Sequence, residues 1–207
     1  MIDPAARLKR ALRALAKRDP VMAKAIDDVG FPEPRDREAG FANLLRIIVC
    51  QQVSNEAGAA IWRKLSGRLV DVTPEKVSRS RETSLCACGL SRPKVRYAKA
   101  LAQAITREGL DMAALETAPD DEVRAKLTAV TGIGAWTADI YLMFALGRPD
   151  VMPGGDLALA LAAERMLRLP ARPTPVELEA LAERWKPHRT AAAVMLWHYY
   201  RKAPLID

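Results

Sequence analysis

Asp156 carries the carboxylate that is best placed in the sequence to take part in a reaction. It follows a turn-rich segment that begins at Gly147 and reads GRPDVMPGGD, and it precedes an apolar helical stripe that begins at Leu157. An aspartate before a helix is a common N-cap, because its oxygens accept hydrogen bonds from the N–H groups of the first turn. The helix dipole and these N–H groups also favour the ionised form. Asp156 is therefore predicted to be an N-cap and an ionised carboxylate that can stabilise a developing positive charge and orient or deprotonate water.

A second candidate site is the tight turn Thr131–Gly134, which reads TGIG and lies between two helical apolar stripes. The stripes consist of Val123, Leu127 and Val130 before the turn and of Trp136, Ile140, Met143 and Phe144 after it. Glycine permits backbone angles that other residues avoid, and N–H groups at the start of a helix favour an anion. The turn predicts a phosphate site built from backbone N–H groups, although such a turn also occurs for packing alone.

Two tryptophans lie where an indole ring could meet a ligand. Trp136 follows the turn directly, and Trp197 shares one predicted helix face with Ala193 and Tyr200. An indole face attracts a cation by about 0.5 to 2 kcal/mol. A tryptophan at helical spacing is more often part of a core, so both interpretations stay open here.

Helices are the elements that must position these residues. Half of the chain is apolar, β-branched alternating runs are scarce and no convincing strand is present, so the predicted class is all-α. Asp19-Pro20 reads as an N-cap followed by proline at the first helical position, and Phe41, Leu45, Ile48 and Gln52 suggest one helix that ends at an amide. The polar stretch Glu33–Glu38 is the best linker candidate, and 207 residues suffice for one domain or two small lobes.

The charge and composition narrow the choice of partner and compartment. Lys and Arg number 32 against 25 Asp and Glu, and the net charge of +7 favours a polyanionic partner or a basic solvated surface. No apolar run of membrane-spanning length and no signal peptide are recognised, so a cytoplasmic protein without a membrane is expected. The three cysteines are predicted to be reduced thiols, and the two histidines lack the partners of a zinc site.

The hairpin of two helices, the Gly/Pro-rich loop and Asp156 together resemble the helix-hairpin-helix (HhH-GPD) superfamily of DNA glycosylases, especially the 3-methyladenine DNA glycosylase II type. The resemblance covers about Phe41 to Tyr200. It implies an all-α, two-lobed helical fold with the substrate cleft between the lobes. We expect one lobe at residues 38–154, which contains the hairpin, and a second at residues 1–37 plus 155–207.

The same resemblance implies a role for individual residues. Asp156 would be the catalytic carboxylate, and Gln52, with Gln51, would enter the gap that a flipped base leaves in the duplex. The base pocket would be lined by Trp136, Trp197 and Tyr141. The DNA backbone would be contacted by Gly132, Ile133, Gly134, Ala135, Arg92 and Lys94. An Na⁺ or K⁺ ion would be held by the backbone carbonyls of Thr128, Val130 and Ile133.

Two further sequence features restrict the reaction. Bifunctional members of the family carry a lysine two residues after the second hairpin glycine, where this chain has Trp136, so no lyase nucleophile is expected. Members with an iron–sulfur cluster bind it through C-terminal cysteines, whereas no cysteine follows Cys88. We therefore expect neither an iron–sulfur cluster nor zinc, and no required cofactor.

The resemblance, together with the lack of a lyase lysine, implies a monofunctional DNA glycosylase. It would act as a monomer on double-stranded DNA that contains damaged bases, and would release alkylated purines such as 3-methyladenine and 7-methylguanine by base flipping in base excision repair. Two alternatives stay open. One is a glycosylase for another lesion, such as hypoxanthine, ethenoadenine or a deaminated or oxidised base, and the other is a non-catalytic helix-hairpin-helix DNA-binding protein.

Overall fold

The computed structural model describes residues 3–35 and 38–203. Every regular element in these ranges is a helix, which confirms the predicted all-α class. Within the same ranges, no helix is long and apolar enough to cross a membrane. The helices are α1 Pro4–Ala16, α2 Pro20–Val29, α3 Phe41–Cys50, α4 Asn55–Leu69, α5 Pro74–Arg79, α6 Glu82–Ala87, α7 Arg92–Arg107, α8 Ala114–Thr117, α9 Asp120–Thr128, α10 Ala135–Phe144, α11 Leu157–Leu167, α12 Pro175–Ala182 and α13 Arg189–Lys202, with a 3₁₀ turn at Glu183–Trp185.

Backbone contacts divide the chain into two compact units. Unit 1 comprises residues 1–36 and 147–207, and unit 2 comprises residues 37–146. The predicted division after residue 154 is wrong, because the segment that follows Leu146 is bonded to the start of α13. There the Thr190 hydroxyl donates to the Arg148 carbonyl at 2.7 Å and accepts from the Val151 N–H at 3.1 Å. The predicted linker Glu33–Glu38 contains residues 36 and 37, which lie outside the described ranges.

Unit 2 is built around α3, which packs against α4, α7 and α10. Leu44, Leu45 and Ile48 of this helix are fully buried, and burying each such side chain contributes about 1.5 to 3 kcal/mol. Where α3 meets α4, a Cβ atom on Gly58 would lie 2.8 Å from the Cys50 sulfur. Gly58 therefore allows α3 and α4 to pack closely at this point.

Unit 1 is organised around α13, which packs against α1, α2 and α11. Asp19 is the predicted N-cap of α2, and its Oδ1 accepts the N–H groups of Val21 and Met22 at 3.0 and 3.4 Å. Its Oδ2 accepts the indole N–H of the fully buried Trp185 at 2.9 Å and pairs with the Arg184 guanidinium at 3.0 Å. One buried carboxylate therefore fixes the chain just before α13 to the junction of α1 and α2.

Candidate active site

Asp156 occupies the N-cap of α11, as predicted. Its Oδ1 accepts the backbone N–H of Leu159 at 2.9 Å and the indole N–H of Trp197 at 3.1 Å. The residue is only partly exposed. These two hydrogen bonds fix the direction of the Asp156 carboxylate. The catalytic role of Asp156 stays a prediction, but the geometry is suited to it.

The loop before Asp156 is fixed by tight turns and by a buried glycine. The N–H of Asp156 donates to the Pro153 carbonyl, and that of Gly154 donates to the Met152 carbonyl, each at 3.0 Å. A Cβ atom on Gly154 would lie 2.7 Å from the Glu179 side chain and 2.8 Å from the Pro175 carbonyl. Any side chain at this position would therefore displace the loop from α12.

An ion pair holds the same loop further upstream. The Arg189 guanidinium donates to both carboxylate oxygens of Asp150 at 3.0 Å and to the Asp150 carbonyl, while the Arg189 backbone N–H donates to Oδ1 at 3.1 Å. Burial alone would raise the pKa of Asp150, but the hydrogen bonds and positive charge of Arg189 outweigh it, so the pKa is lowered. Since Arg189 begins α13, the helix that carries Trp197 also holds the loop that leads to Asp156.

Trp197 contacts a cation as well as the carboxylate. The guanidinium carbon of Arg35 lies 5.9 Å from the centre of the Trp197 ring. The indole edge thus bonds Asp156 while the ring accepts a positive charge. Sequence reasoning did not assign Arg35 a role, because it lies in a polar stretch with no periodic pattern.

The turn between α9 and α10 has the predicted form, but its two glycines differ in function. Gly132 has φ +93°, and a Cβ atom there would lie 2.1 Å from the Tyr97 ring. Gly134 has an ordinary φ of −92°, and a Cβ atom there would meet nothing within 4 Å. Only Gly132 is required by packing, whereas Gly134 leaves open space at the start of α10.

The first turn of α10 is suited to an anion. Gly134 and Ala135 are exposed, and the N-cap position provides no side-chain acceptor for the N–H groups of this turn. Ile133, in contrast, is buried, and its N–H donates to the Val130 carbonyl at 3.0 Å. The predicted phosphate contact is therefore best supported for the backbone of Gly134 and Ala135.

The two glutamines lie in different environments. The prediction that one helix continues to Gln52 is wrong, because α3 ends at Cys50 and Gln51 has an extended backbone. The Gln51 amide donates to Thr137 Oγ1 at 2.8 Å and to the Gly132 carbonyl at 3.3 Å. Gln52 is exposed and has φ +52°. Of the two residues predicted to enter DNA, Gln52 is therefore the one whose side chain is presented to solvent.

Of the two basic residues predicted to contact DNA phosphates, one is buried. The Lys94 amine donates to the carbonyls of Val49 and Gln51 at 2.7 Å each, and the residue is only 9% exposed. A buried amine committed to two carbonyls is not placed to bind a phosphate, so that prediction is corrected. Arg92, at the first position of α7, is exposed, and its contact with DNA stays a prediction.

The two predicted pocket aromatics of α10 also differ. Tyr141 is fully buried, and its hydroxyl accepts the Gly40 N–H at 2.8 Å. Burial raises the pKa of Tyr141 despite this hydrogen bond. Because Tyr141 is a core side chain, its assignment to a base pocket is corrected. Trp136 is partly exposed in the first turn of α10, and its role in the pocket stays a prediction.

The predicted alkali-cation site concerns backbone carbonyls at the same hairpin. The Val130 carbonyl accepts the Ile133 N–H at 3.0 Å, which leaves its second lone pair for a cation. Thr128 is the last residue of α9, where carbonyls lack partners within the helix. These donors suit a hard monovalent cation, whereas residues 3–35 and 38–203 contain no cluster of three His, Cys, Asp or Glu side chains that could hold a metal.

The family model for the HhH-GPD superfamily of base excision DNA repair proteins matches residues 45–188. The chain belongs to this superfamily. The matched range includes the hairpin, the Gly/Pro-rich loop and Asp156, on which the resemblance in sequence is based, and also the Gln51–Gln52 turn.

Three comparisons describe the relatives of this HhH-GPD protein. The alkylbase DNA glycosidase-like protein mag2 of Schizosaccharomyces pombe is 29% identical over 91% of this chain and 92% of its own length. DNA-3-methyladenine glycosylase 1 of the same yeast is 33% identical over 78% of this chain and 73% of its own length. The structure of S. pombe 3-methyladenine DNA glycosylase (Mag1) in complex with abasic DNA matches with a TM-score of 0.85 at 30% identity, over 96% of this chain and 100% of that one.

The Asp150–Arg189 pair generates a test that depends on pH. Because the pKa of Asp150 is lower in the folded protein, its stabilisation is present above the unfolded value of about 3.9 and is lost as the pH falls through the folded value. At pH 7 we expect Asp150→Asn to reduce the free energy of unfolding by about 1 to 2 kcal/mol. Urea unfolding should show this difference from the wild type narrowing below about pH 4.

The matched control is Asp71→Asn. Asp71 also pairs with a basic side chain, Lys76 at 2.9 Å, but its own side chain is 74% exposed. An exposed pair of this kind contributes about 0 to 1 kcal/mol. The stabilising role of the Asp150–Arg189 pair would be contradicted by either of two results. One is that Asp150→Asn lowers the free energy of unfolding by no more than Asp71→Asn does, and the other is that its effect does not change with pH.

Proposed function

We propose that this chain is a monofunctional DNA glycosylase that hydrolyses the N-glycosidic bond of alkylated purines in double-stranded DNA. The substrates are 3-methyladenine and 7-methylguanine, and the reaction is the first step of base excision repair. The observation that carries this proposal is the geometry of Asp156, whose oxygen is held at once by the N-terminus of α11 and by the Trp197 indole. The family and the named activities of the relatives agree with it.

Asp156 supplies the charge that the reaction needs. Cleavage of an N-glycosidic bond passes through an oxocarbenium-like state, in which positive charge develops on the sugar. A partly buried carboxylate stabilises this charge more strongly than it would in bulk water, and it orients or deprotonates the attacking water. In the products the base carries the electron pair of the broken bond, and the hydroxyl group from water is on the sugar.

The leaving group explains why a second carboxylate is not required. A purine alkylated at N3 or N7 already carries a positive charge, so it departs as a neutral base without protonation by the protein. An indole ring such as that of Trp197 has an electron-rich face that attracts such a cation. An unmodified purine lacks this charge, so it is a poorer leaving group and is attracted less strongly to the indole ring.

The absence of an amine beside the hairpin supports a hydrolytic reaction. Gly134 is followed by Ala135 and Trp136, so this part of α10 carries no lysine that could attack C1′ and form a Schiff base. Water then adds to C1′ of the sugar in place of the base, and the DNA strand stays intact. The protein acts as a monomer in the cytoplasm. Because the protein binds DNA through its phosphates, its affinity for DNA should fall steeply as the salt concentration rises.

Replacement of Asp156 by Asn is the test of the proposal. Asparagine caps helices as well as aspartate does, so the fold is retained while the charge is lost. The rate of base release from methylated duplex DNA should fall about 10²- to 10³-fold. The freed 3-methyladenine and 7-methylguanine are measured by chromatography, and strand breaks are scored before alkali treatment.

The control for this experiment is Glu164→Gln, which removes a carboxylate from the same helix and should leave the rate unchanged. Wild-type protein that binds methylated DNA but releases neither base would refute the alkylpurine assignment. The same assay on deaminated and oxidised bases would then distinguish a glycosylase for other lesions from a DNA-binding protein without activity. Strand breaks before alkali treatment would refute the monofunctional reaction.

A second prediction concerns the indole donor. Trp197→Phe keeps an aromatic ring but removes the N–H that donates to Asp156, so the single-turnover rate should fall about tenfold. Trp62→Phe is the matched control, because Trp62 is also partly exposed with a guanidinium, that of Arg46, 5.9 Å from its ring. Equal rates for the two variants would show that the Trp197 N–H does not assist Asp156.

A further inference from the structure

The buried amine of Lys94 has no part in the reaction described above. It donates hydrogen bonds to the carbonyls of Val49 and Gln51, each at 2.7 Å. These carbonyls lie at the end of α3, where the helix leaves carbonyls without intrahelical partners. Burial lowers the pKa of the Lys94 amine, and the nearby Cys50 thiol opposes this effect. The amine is thus a buried cap for the end of α3 and for the first residue beyond it.

The residue presented by this capped segment is Gln52. Its φ of +52° lies in the left-handed region, which is uncommon for residues other than glycine, asparagine and aspartate. Such a backbone is unfavourable and persists only where the surrounding structure enforces it. The side chain is exposed, so its own burial contributes little to that support. The hydrogen bonds that hold this turn are made by Gln51, the residue before it.

Gln51 provides a second, independent support. Its amide donates to Thr137 Oγ1 at 2.8 Å and to the Gly132 carbonyl at 3.3 Å, both of which belong to the hairpin region of unit 2. Its carbonyl accepts from Lys94. The residue before Gln52 is thus held from both ends, through its side chain by the hairpin and through its carbonyl by Lys94. The exposed amide of Gln52 is therefore displayed from a rigid base.

We propose that Lys94 is a positioning residue for base extrusion: its amine holds the left-handed turn that presents Gln52 to the gap left by a flipped base. The inference rests on the proposed function, because it assigns Gln52 to that gap. Extrusion of a base is energetically unfavourable, and a side chain that must find its conformation after binding offsets less of this cost than one already held in place. Lys94 thereby increases the rate on paired DNA without touching the substrate.

The same helix offers a matched control in Lys99. Its amine also donates to two backbone carbonyls at the end of a short helix, those of Ser78 at 2.8 Å within the last turn of α5 and Ser80 at 2.5 Å just after it. The turn that it caps follows α5 and is separate from the Gln51–Gln52 turn. Lys94→Met and Lys99→Met therefore remove the same chemical group from the same helix, but only the first affects the support of Gln52.

The test compares Lys94→Met, Lys99→Met, Gln52→Ala and the double variant Lys94→Met/Gln52→Ala. Single-turnover release of alkylated purines from duplex DNA should fall about tenfold in Lys94→Met and should stay within about twofold of the wild type in Lys99→Met. Because Lys94 acts through Gln52, the double variant should be no slower than Gln52→Ala alone. Effects that multiply in the double variant, or an equal loss in Lys99→Met, would overturn the proposal.

A second measurement separates this inference from the proposed function. A duplex with 2-aminopurine opposite an abasic-site analogue reports insertion into the stack by a change of fluorescence and needs no base release. The wild type should produce this change, and Lys94→Met should lose it as Gln52→Ala does. If the wild type releases no base, the proposed function fails, but the fluorescence change still tests whether Lys94 positions Gln52 for insertion into the base stack. An unchanged signal in Lys94→Met, or no signal in the wild type, would overturn the inference.

Circular dichroism and urea unfolding establish that each variant is folded. If Lys94→Met does not fold, Lys94→Arg replaces it, with Lys99→Arg as its control. Arginine keeps the charge but moves the hydrogen-bond donors. Lys94→Arg should therefore reduce the fluorescence change less than Lys94→Met would, and Lys99→Arg should leave it unchanged. Equal behaviour of the two arginine variants would overturn the proposal.

Discussion

The hydrogen bond from the Trp197 indole to Asp156 is the constraint on which the rest of unit 1 depends. At 3.1 Å it joins the start of α11 to the middle of α13, and it can form only if both helices and the loop before Asp156 are held in register. Arg189 provides that register by binding Asp150 in the same loop from the first turn of α13. A single helix thus positions the carboxylate twice, once directly and once through the loop.

In unit 2 the exposed groups that are predicted to meet DNA include the backbone N–H groups at the start of α10 and the amide of Gln52. The backbone of Gly134 and Ala135 is uncovered at the start of α10, while Gly132 is packed against a tyrosine ring. Gln51 links this hairpin to the turn that presents Gln52. The hairpin and the turn that presents Gln52 are therefore joined by one connected set of hydrogen bonds within the unit.

Features that depend on neighbouring residues in the chain, such as helix caps, are predictable from sequence, whereas the burial of individual side chains by tertiary packing is not. The caps at Asp19 and Asp156 follow from residue type and the pattern that comes after them, and both occur in the structure. Lys94 and Tyr141 were misassigned because an exposed and a buried environment give the same local pattern in a single sequence. Gln52 was placed on a helix by periodicity, which does not detect that α3 ends two residues earlier. The family resemblance supplied the functional roles that periodicity could not.

The most direct test of the central claim is a binding measurement with two abasic-site analogues in duplex DNA. One carries a cationic pyrrolidine in place of the sugar and imitates the charge of the transition state, and the other carries a neutral tetrahydrofuran. If Asp156 stabilises that charge, the wild type should bind the cationic analogue at least about tenfold more tightly than the neutral one, and Asp156→Asn should abolish the preference. An equal preference in the wild type and in the variant would contradict the assignment of Asp156 as the catalytic carboxylate.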